Sequence, residues 1–306
     1  MSRLIVRRLI ATLPVLFAAT TLTFFLVHLV PGDPVDVMLG ENAPETEKQN
    51  LRQELGLDRP LFEQYTDFLS SLSRFDLGRS LLSKEPVVEA IANRVPATVE
   101  LTLAAIAIAL LMGIPLGVAA AISRGKWIDH AVLFTGLLGI SIPSFWLAPM
   151  LIWIFSIQFG LLPVSERGGL DSLVLPSVSL GFALSSILIR MTRASMLEVI
   201  HEDYIRTARA KGLGAFSLYF KHGLRNALIP IVTVVGLQFG SLLTGAVITE
   251  TIFDWPGIGS LFYQSIQQRN YPLVQGCVLF ISLTYVTVNL VTDLAYLAVN
   301  PKLRSQ

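Results

Sequence analysis

Six apolar runs, near residues 9–30, 99–122, 131–155, 173–196, 228–252 and 273–299, constrain this chain more than any other feature. Each meets the roughly 17–25 residues that a helix needs to cross the hydrocarbon of a bilayer. Only 15% of the 306 residues are charged, against about 25% in a soluble domain, and the mean hydropathy is +0.62. The sequence therefore predicts an all-α integral membrane protein with six transmembrane helices. Pro14, Pro115, Pro143, Pro149 and Pro176 fall inside the runs or at their ends. Membrane helices tolerate such prolines, because neighbouring groups satisfy the freed carbonyls.

Charge sets the expected orientation. If the N-terminus is cytoplasmic, the inside segments are the N-terminal tail, residues 123–130, residues 190–225 and the C-terminal tail. These hold fourteen of the 23 Lys and Arg and only four acids, Asp129, Glu198, Glu202 and Asp203. Residues 31–98 hold twelve acids against seven basic residues. Basic loops stay inside, so both termini are expected in the cytoplasm and residues 31–98 outside, which is periplasm in a Gram-negative cell. Arg3, Arg7 and Arg8 before the first run also fit a secretory signal. The run is too long for one, however, and Pro31-Gly32-Asp33-Pro34 is no small-residue cleavage site. They read as a positive-inside anchor.

The outside segment is more than a linker. Residues 46–55 and 61–72 show helical periodicity, anchored by Leu51, Leu55, Phe62, Tyr65, Phe68 and Leu72, with Gly56, Asp58 and Pro60 breaking between them. Asp76-Leu77-Gly78-Arg79-Ser80 reads as a turn. Such a small helical cap is either a packed lid or a docking face for an extracytoplasmic partner, and both can hold.

Catalytic signatures are missing. The chain has no G-x-x-x-x-G-K-[ST] phosphate loop, no H-E-x-x-H and no G-x-S-x-G. Its single cysteine, Cys277, allows neither an intrachain disulfide nor a C-x-x-C metal site. No catalytic residue, metal site or nucleic-acid partner is expected. Of four histidines only His28 lies in a run, as a packing residue or a proton relay. Ionisable residues within spans mark ion pathways. Glu100 and Glu250 lie near outer ends, Arg190 and Arg193 near an inner end, and Asp293 is the best intramembrane candidate. So little buried charge points to an energy source in another chain.

The segment 190–225 is the longest inside loop and the most polar. Asp203 is placed to cap a helix start. Tyr204, Ile205 and Ala208 fall on one helical face, with Arg206, Arg209 and Lys211 towards the other sides. Gly212 supplies a left-handed stop and Gly214 loosens the exit. Such a helix suits a groove on another protein, the headgroups of membrane lipid, or a connector's role.

The chain resembles inner-membrane permease subunits of ABC transporters, in the dipeptide, oligopeptide and nickel importer family. The matching stretches run from end to end. They include Arg7-Arg8-Leu9-Ile10, Leu29-Val30-Pro31-Gly32-Asp33-Pro34, Gly56-Leu57-Asp58-Arg59-Pro60-Leu61 and Asp76-Leu77-Gly78-Arg79-Ser80. Further along come Pro96-Ala97-Thr98-Val99-Glu100-Leu101, Ser141-Ile142-Pro143-Ser144-Phe145-Trp146, Arg193-Ala194-Ser195-Met196 and Asp203 to Gly212. Arg225-Asn226-Ala227-Leu228-Ile229-Pro230 leaves the loop, and Glu250-Thr251-Ile252-Phe253-Asp254-Trp255-Pro256-Gly257-Ile258-Gly259 precedes the last run.

The resemblance implies a type I importer permease fold in three parts: residues 1–30, a tail and first helix; 31–98, a periplasmic helical segment; and 99–306, a five-helix core with a coupling loop at 197–227. It implies ATPase coupling through Asp203, Tyr204, Arg206, Thr207, Ala208, Arg209, Ala210, Lys211, Gly212, Leu213 and Gly214. Aligned on Gly212, Arg206-Thr207-Ala208 stands where the general coupling motif has Glu-Ala-Ala. Implied partners are a second homologous permease subunit, two ATP-binding subunits that use ATP and Mg, and an extracytoplasmic substrate-binding protein. The chain itself needs no cofactor. Di- or oligopeptides are the first choice of cargo, with a nickel chelate, glutathione or an opine as alternatives. Ser141, Ser144, Gln238, Ser241 and Thr244 are polar candidates for the path, or for helix–helix hydrogen bonds. A lone secondary carrier and a membrane enzyme are the other function classes. The first fits poorly with the scant intramembrane charge, the second with the absent catalytic constellation.

Overall fold

The computed structural model describes residues 2–29, 32–40, 42–165 and 167–299. The described residues form helices joined by turns, with one isolated antiparallel bridge, Arg79 to Pro86. In chain order the helices are α1 (Ser2–Leu29), α2 (Pro34–Leu39), α3 (Glu45–Glu54), α4 (Leu61–Ser73), α5 (Val87–Ile122), α6 (Trp127–Ser141), α7 (Ser144–Leu151), α8 (Leu170–Val199), α9 (Asp203–Ala210), α10 (Leu224–Gly245), α11 (Val247–Ile252), α12 (Ile258–Gln267) and α13 (Tyr271–Val299). Wider π-helical turns follow α7 at Ile152–Gln158 and precede α10 at Ser217–Gly223.

Every expected apolar run falls on helix, but not always as one span. Val87–Ile122, Leu170–Val199 and Tyr271–Thr292 are each long and apolar enough to cross a membrane. The third run is broken instead: Trp127–Ser141 and Ser144–Gln158 meet at 105°. The cause is Pro143. The residue before a proline is driven out of the helical region, and Ile142 is extended, with φ −88° and ψ 115°. The fifth run is also divided, into α10 and α11 at Ala246. Among the described residues α1 contributes a shorter apolar helix, Thr12–Phe25.

The chain divides into two compact units. One comprises Met1–Ala97 and Pro256–Val286. Its core gathers Val87, Ala90, Ile91, Ile258, Leu261, Leu273 and Cys277. Asp33 caps α2 by accepting from the Val35 N–H at 2.8 Å, and Arg52 Nε on α3 donates to it at 2.7 Å. Asp36 pairs with the buried Lys48 at 2.8 Å. These two pairs fasten α2 to α3. α4 rests on α1 through Phe24 and Phe68, stacked at 5.6 Å, and the Thr21 and Tyr65 hydroxyls, 2.7 Å apart. His28 shares this packing: its ring lies 4.4 Å from Phe24 and its Nε2 lies 3.2 Å from Gln64 Oε1. Asn270 donates to Ser80 Oγ at 2.7 Å and accepts from the Leu81 N–H at 3.1 Å, pinning the loop before α5. The turn expected at residues 76–80 falls instead at 81–83, because Arg79 is drawn into the bridge with Pro86.

The other unit comprises Thr98–Trp255 and Thr287–Gln306, with α8 at its centre. Small residues let helices approach closely where no hydrophobic effect drives association. Gly113 and Gly117 on α5 do this against α8: a Cβ at Gly117 would lie 2.5 Å from Thr192 Cβ and 2.8 Å from the Ile189 carbonyl. Gly136 and Gly139 on α6 abut Ile189 and Ser186 of α8. α10 closes the unit by packing Ile231 with Leu184, Leu188, Ile106 and Ala109.

Candidate functional site

α8 ends at Val199, and after a short turn α9 begins. The sequence expects Asp203 to cap this helix. The cap position belongs to Glu202, whose backbone is extended and whose side chain caps nothing. Asp203 is the first helical residue, with its side chain 97% exposed and 3.7 Å from Arg206 Nη1. There its charge favours the helix dipole without a capping bond.

The inner face of α9 is narrow. Ile205 and Ala208 are buried against Leu218, with Val199 and Tyr219 packed alongside. Tyr204, expected on the same face, is partly exposed; its hydroxyl accepts from Asn226 Nδ2 at 2.8 Å and ties α9 to α10. Arg209 Nη2 reaches the Tyr219 hydroxyl at 3.4 Å, and the Thr207 hydroxyl donates to the Asp203 carbonyl at 3.0 Å.

The stop is the one the sequence announces. Gly212 N–H donates to the Arg209 carbonyl at 3.0 Å and Leu213 N–H to the Ala208 carbonyl at 3.4 Å. This paired closure needs a left-handed residue, and Gly212 has φ +79°. A Cβ there would meet no neighbour, so the backbone conformation, not space, selects glycine. Beyond it the chain stays exposed through Leu213, Gly214 and Phe216, a residue 77% exposed whose ring stacks on Phe220 at 4.9 Å. The outward surface thus combines Arg206, Thr207, Arg209, Ala210 and Lys211 with two apolar side chains, Leu213 and Phe216.

A second feature is the break between α6 and α7. It places Ser141 on an exposed surface and leaves Ser144 half-buried at the first turn of α7. Gln238 on α10 is half-buried. The side chains of Ser241, Thr244 and Asp293 lie outside the described residues. Among the described residues no three His, Cys, Asp or Glu side chains gather to hold a metal ion.

Comparison with known proteins decides what carries this loop. Residues 113–305 match the family described as binding-protein-dependent transport system inner membrane component, and residues 1–102 match its N-terminal companion family. The chain belongs to this family of ABC importer permeases. The glutathione transport system permease protein GsiC is 41% identical in Escherichia coli strain CFT073 and in strain K12, over 98% of this chain and 98% of each relative. Two solved structures share the fold. The MetNI methionine ABC transporter, in inward-facing form, aligns with TM-score 0.54 at 20% identity, over 70% of this chain and 97% of its own. An amino acid ABC transporter solved with histidines aligns with TM-score 0.53 at 17% identity, over 68% and 94%. The permease is thus a multi-pass inner-membrane protein, and its family works with ATPase and substrate-binding partners.

Three polar pairings in the permease escape sequence reading. Asp129, in the first turn of α6, takes both Nε and Nη2 of Arg193 on α8, at 2.6 and 2.8 Å. Glu250, expected near an outer helix end, is fully buried and accepts from the Thr98 hydroxyl at 2.7 Å. Glu100 stays half-exposed and pairs with Arg167 at 2.6 Å. Arg193 and Glu250 were visible as ionisable residues in apolar runs. Their partners, 64 and 152 positions away, left no local signal.

Proposed function

We propose that the permease imports short peptides, glutathione among them, and that ATP-binding subunits drive it by docking on α9. The observation that carries the reading is the exposed, basic and partly apolar surface of α9. That helix stands three residues beyond α8, the most buried helix of its unit, and ends in the Gly212 stop. A displacement of α9 therefore has a short rigid route into the helix core. In this reading both termini and α9 are cytoplasmic, as the excess of Lys and Arg supports, and α2–α4 face the substrate-binding protein. A second homologous permease subunit completes the path. ATP and Mg belong to the partner subunits. Alternating access follows: the loaded binding protein and ATP each favour one of two states and shift the population towards it.

The cargo reading rests on the glutathione permeases at 41% identity over nearly the whole chain. Glutathione is itself a small peptide, so it joins the dipeptide expectation in one substrate class. Ser141 and Ser144 support a path at the α6–α7 break, since discontinuous membrane helices present free backbone groups to a substrate. The test is to purify the transporter with its binding protein and measure uptake of labelled glutathione and labelled dialanine into proteoliposomes. ATP-dependent uptake of either supports the reading. Uptake by the permease alone, without ATP, overturns it in favour of a secondary carrier.

A further inference from the structure

The Asp129–Arg193 pair is built beyond what helix capping requires. Asp129 is 2% exposed. Its Oδ1 accepts from Arg193 Nε at 2.6 Å, and its Oδ2 accepts from Arg193 Nη2 at 2.8 Å and from the Gly125 N–H at 3.0 Å. One carboxylate thus holds the turn after α5, the first turn of α6 and the last third of α8. The fork is parallel and two-toothed, the geometry that fixes register as well as distance.

Its place along the helices gives the pair a consequence. Further along, α6 and α8 meet through Gly136 and Gly139 against Ile189 and Ser186. That seam is made of close van der Waals contacts, which hold two helices together without the directional fix of a paired hydrogen bond. A directional bond between α6 and α8 sits at the end nearer α9. Six residues beyond Arg193, α8 ends at Val199, which packs on the buried face of α9. At the far end of α6 lies the 105° break at Ser141–Ser144.

We infer that Asp129 and Arg193 are a positioning pair that makes α6 follow α8, so that movement of α9 reaches the α6–α7 break. The inference rests on α9 being the docking helix. Without the fork, α8 moves with α9 while α6 slips along the glycine seam. ATP hydrolysis then continues and cargo does not move. A pair that served stability alone would instead lower the amount of assembled transporter, and with it uptake and hydrolysis in proportion.

The test uses the complete transporter in proteoliposomes with its binding protein, and whichever of labelled glutathione or dialanine the native complex accumulates. Arg193→Lys keeps the charge and loses the fork; Asp129→Asn keeps the shape and loses the charge. Both are expected to assemble and to hydrolyse ATP within about twofold of the native complex, while uptake per ATP falls about fivefold or more. The double variant Asp129→Asn/Arg193→Gln is expected to be no worse than either single one, because the two act as a unit. Unchanged uptake per ATP in Arg193→Lys overturns the inference. So does failure of both single variants to assemble, which assigns the pair to stability. Gly212→Pro in parallel separates the two readings: if it uncouples and Arg193→Lys does not, only the positioning pair falls.

Discussion

The Thr98 hydroxyl donates to Glu250 Oε1 at 2.7 Å, joining α5 to α11 at a carboxyl with no exposed surface. Removing one member of a buried hydrogen bond to a carboxyl costs stability even where other contacts to that carboxyl remain. Thr98→Val, which keeps the shape and removes the donor, is expected to cost about 1–3 kcal/mol. Thr98→Ser keeps the donor and is expected to lie closer to the native protein. Thermal unfolding of the detergent-solubilised permease reads the difference. Equal melting temperatures for the two variants would remove this bond from the account.

The close approach of α5 to α8 makes a second prediction. Gly117→Ala places a methyl 2.5 Å from Thr192 Cβ and against the Ile189 carbonyl, which cannot turn aside. Overpacking of this kind is expected to cost about 1–3 kcal/mol. Gly168→Ala, with nothing within 4 Å of the new Cβ, is expected to change stability by less than about 0.5 kcal/mol. Thermal unfolding and the amount of permease in the membrane fraction should rank the two in that order.

Acid should loosen the clasp between α2 and α3. The hydrogen bond from Lys48 holds the Asp36 carboxyl below the usual carboxylate range, and the same bond holds Lys48 above the usual lysine range. A carboxyl lowered in the folded state stabilises above its unfolded pKa, and that contribution is lost as pH falls through the folded value. An amine raised in the folded state stabilises below its unfolded pKa and loses that contribution as pH rises through the folded value. The advantage of the native permease over Asp36→Asn in melting temperature is therefore expected to be flat near neutrality. It should shrink on acidification below the ordinary carboxylate pKa of about 4, and again at strongly alkaline pH. A constant difference from pH 7 to pH 3 would contradict the pairing.

Coupling through α9 predicts the effect of two surface changes. Gly212→Pro cannot adopt the observed φ of +79°, and the pair Arg206→Glu with Arg209→Glu inverts the exposed charge. Both are expected to abolish uptake while leaving membrane insertion intact. Growth on the transported compound and a membrane-fraction blot measure the two sides. Normal uptake by well-inserted variants would remove α9 from the drive.

Local patterns were legible in the sequence and distant pairings were not. The apolar runs located the helices because a membrane span is a local property of twenty residues. Gly212 announced its stop because the left-handed backbone there favours one residue type. The helices at Glu45–Glu54 and Leu61–Ser73 followed from periodicity and the Pro60 break. Pro143 was visible, but membrane helices so often tolerate proline that it did not announce a sharp bend. Glu202 displaced Asp203 at the cap of α9, since composition cannot distinguish two adjacent acids. Asp129 read as a loop acid and Glu250 as an interfacial one, because burial is decided by Arg193 and Thr98, far away in the chain. Phe216 gave no signal at all: in a chain that is 53% hydrophobic, one exposed phenylalanine is visible only once its neighbours are placed.

The central claim is that α9 is where ATP-binding subunits grip the permease. A photo-crosslinking residue in place of Arg206, whose side chain is 73% exposed, tests it in the assembled transporter. Illumination is expected to give a covalent adduct whose mass is that of the permease plus one ATP-binding subunit, and to give none when the residue replaces the buried Ile205. Adducts to lipid alone, from a complex that still contains its ATP-binding subunits, would contradict the account.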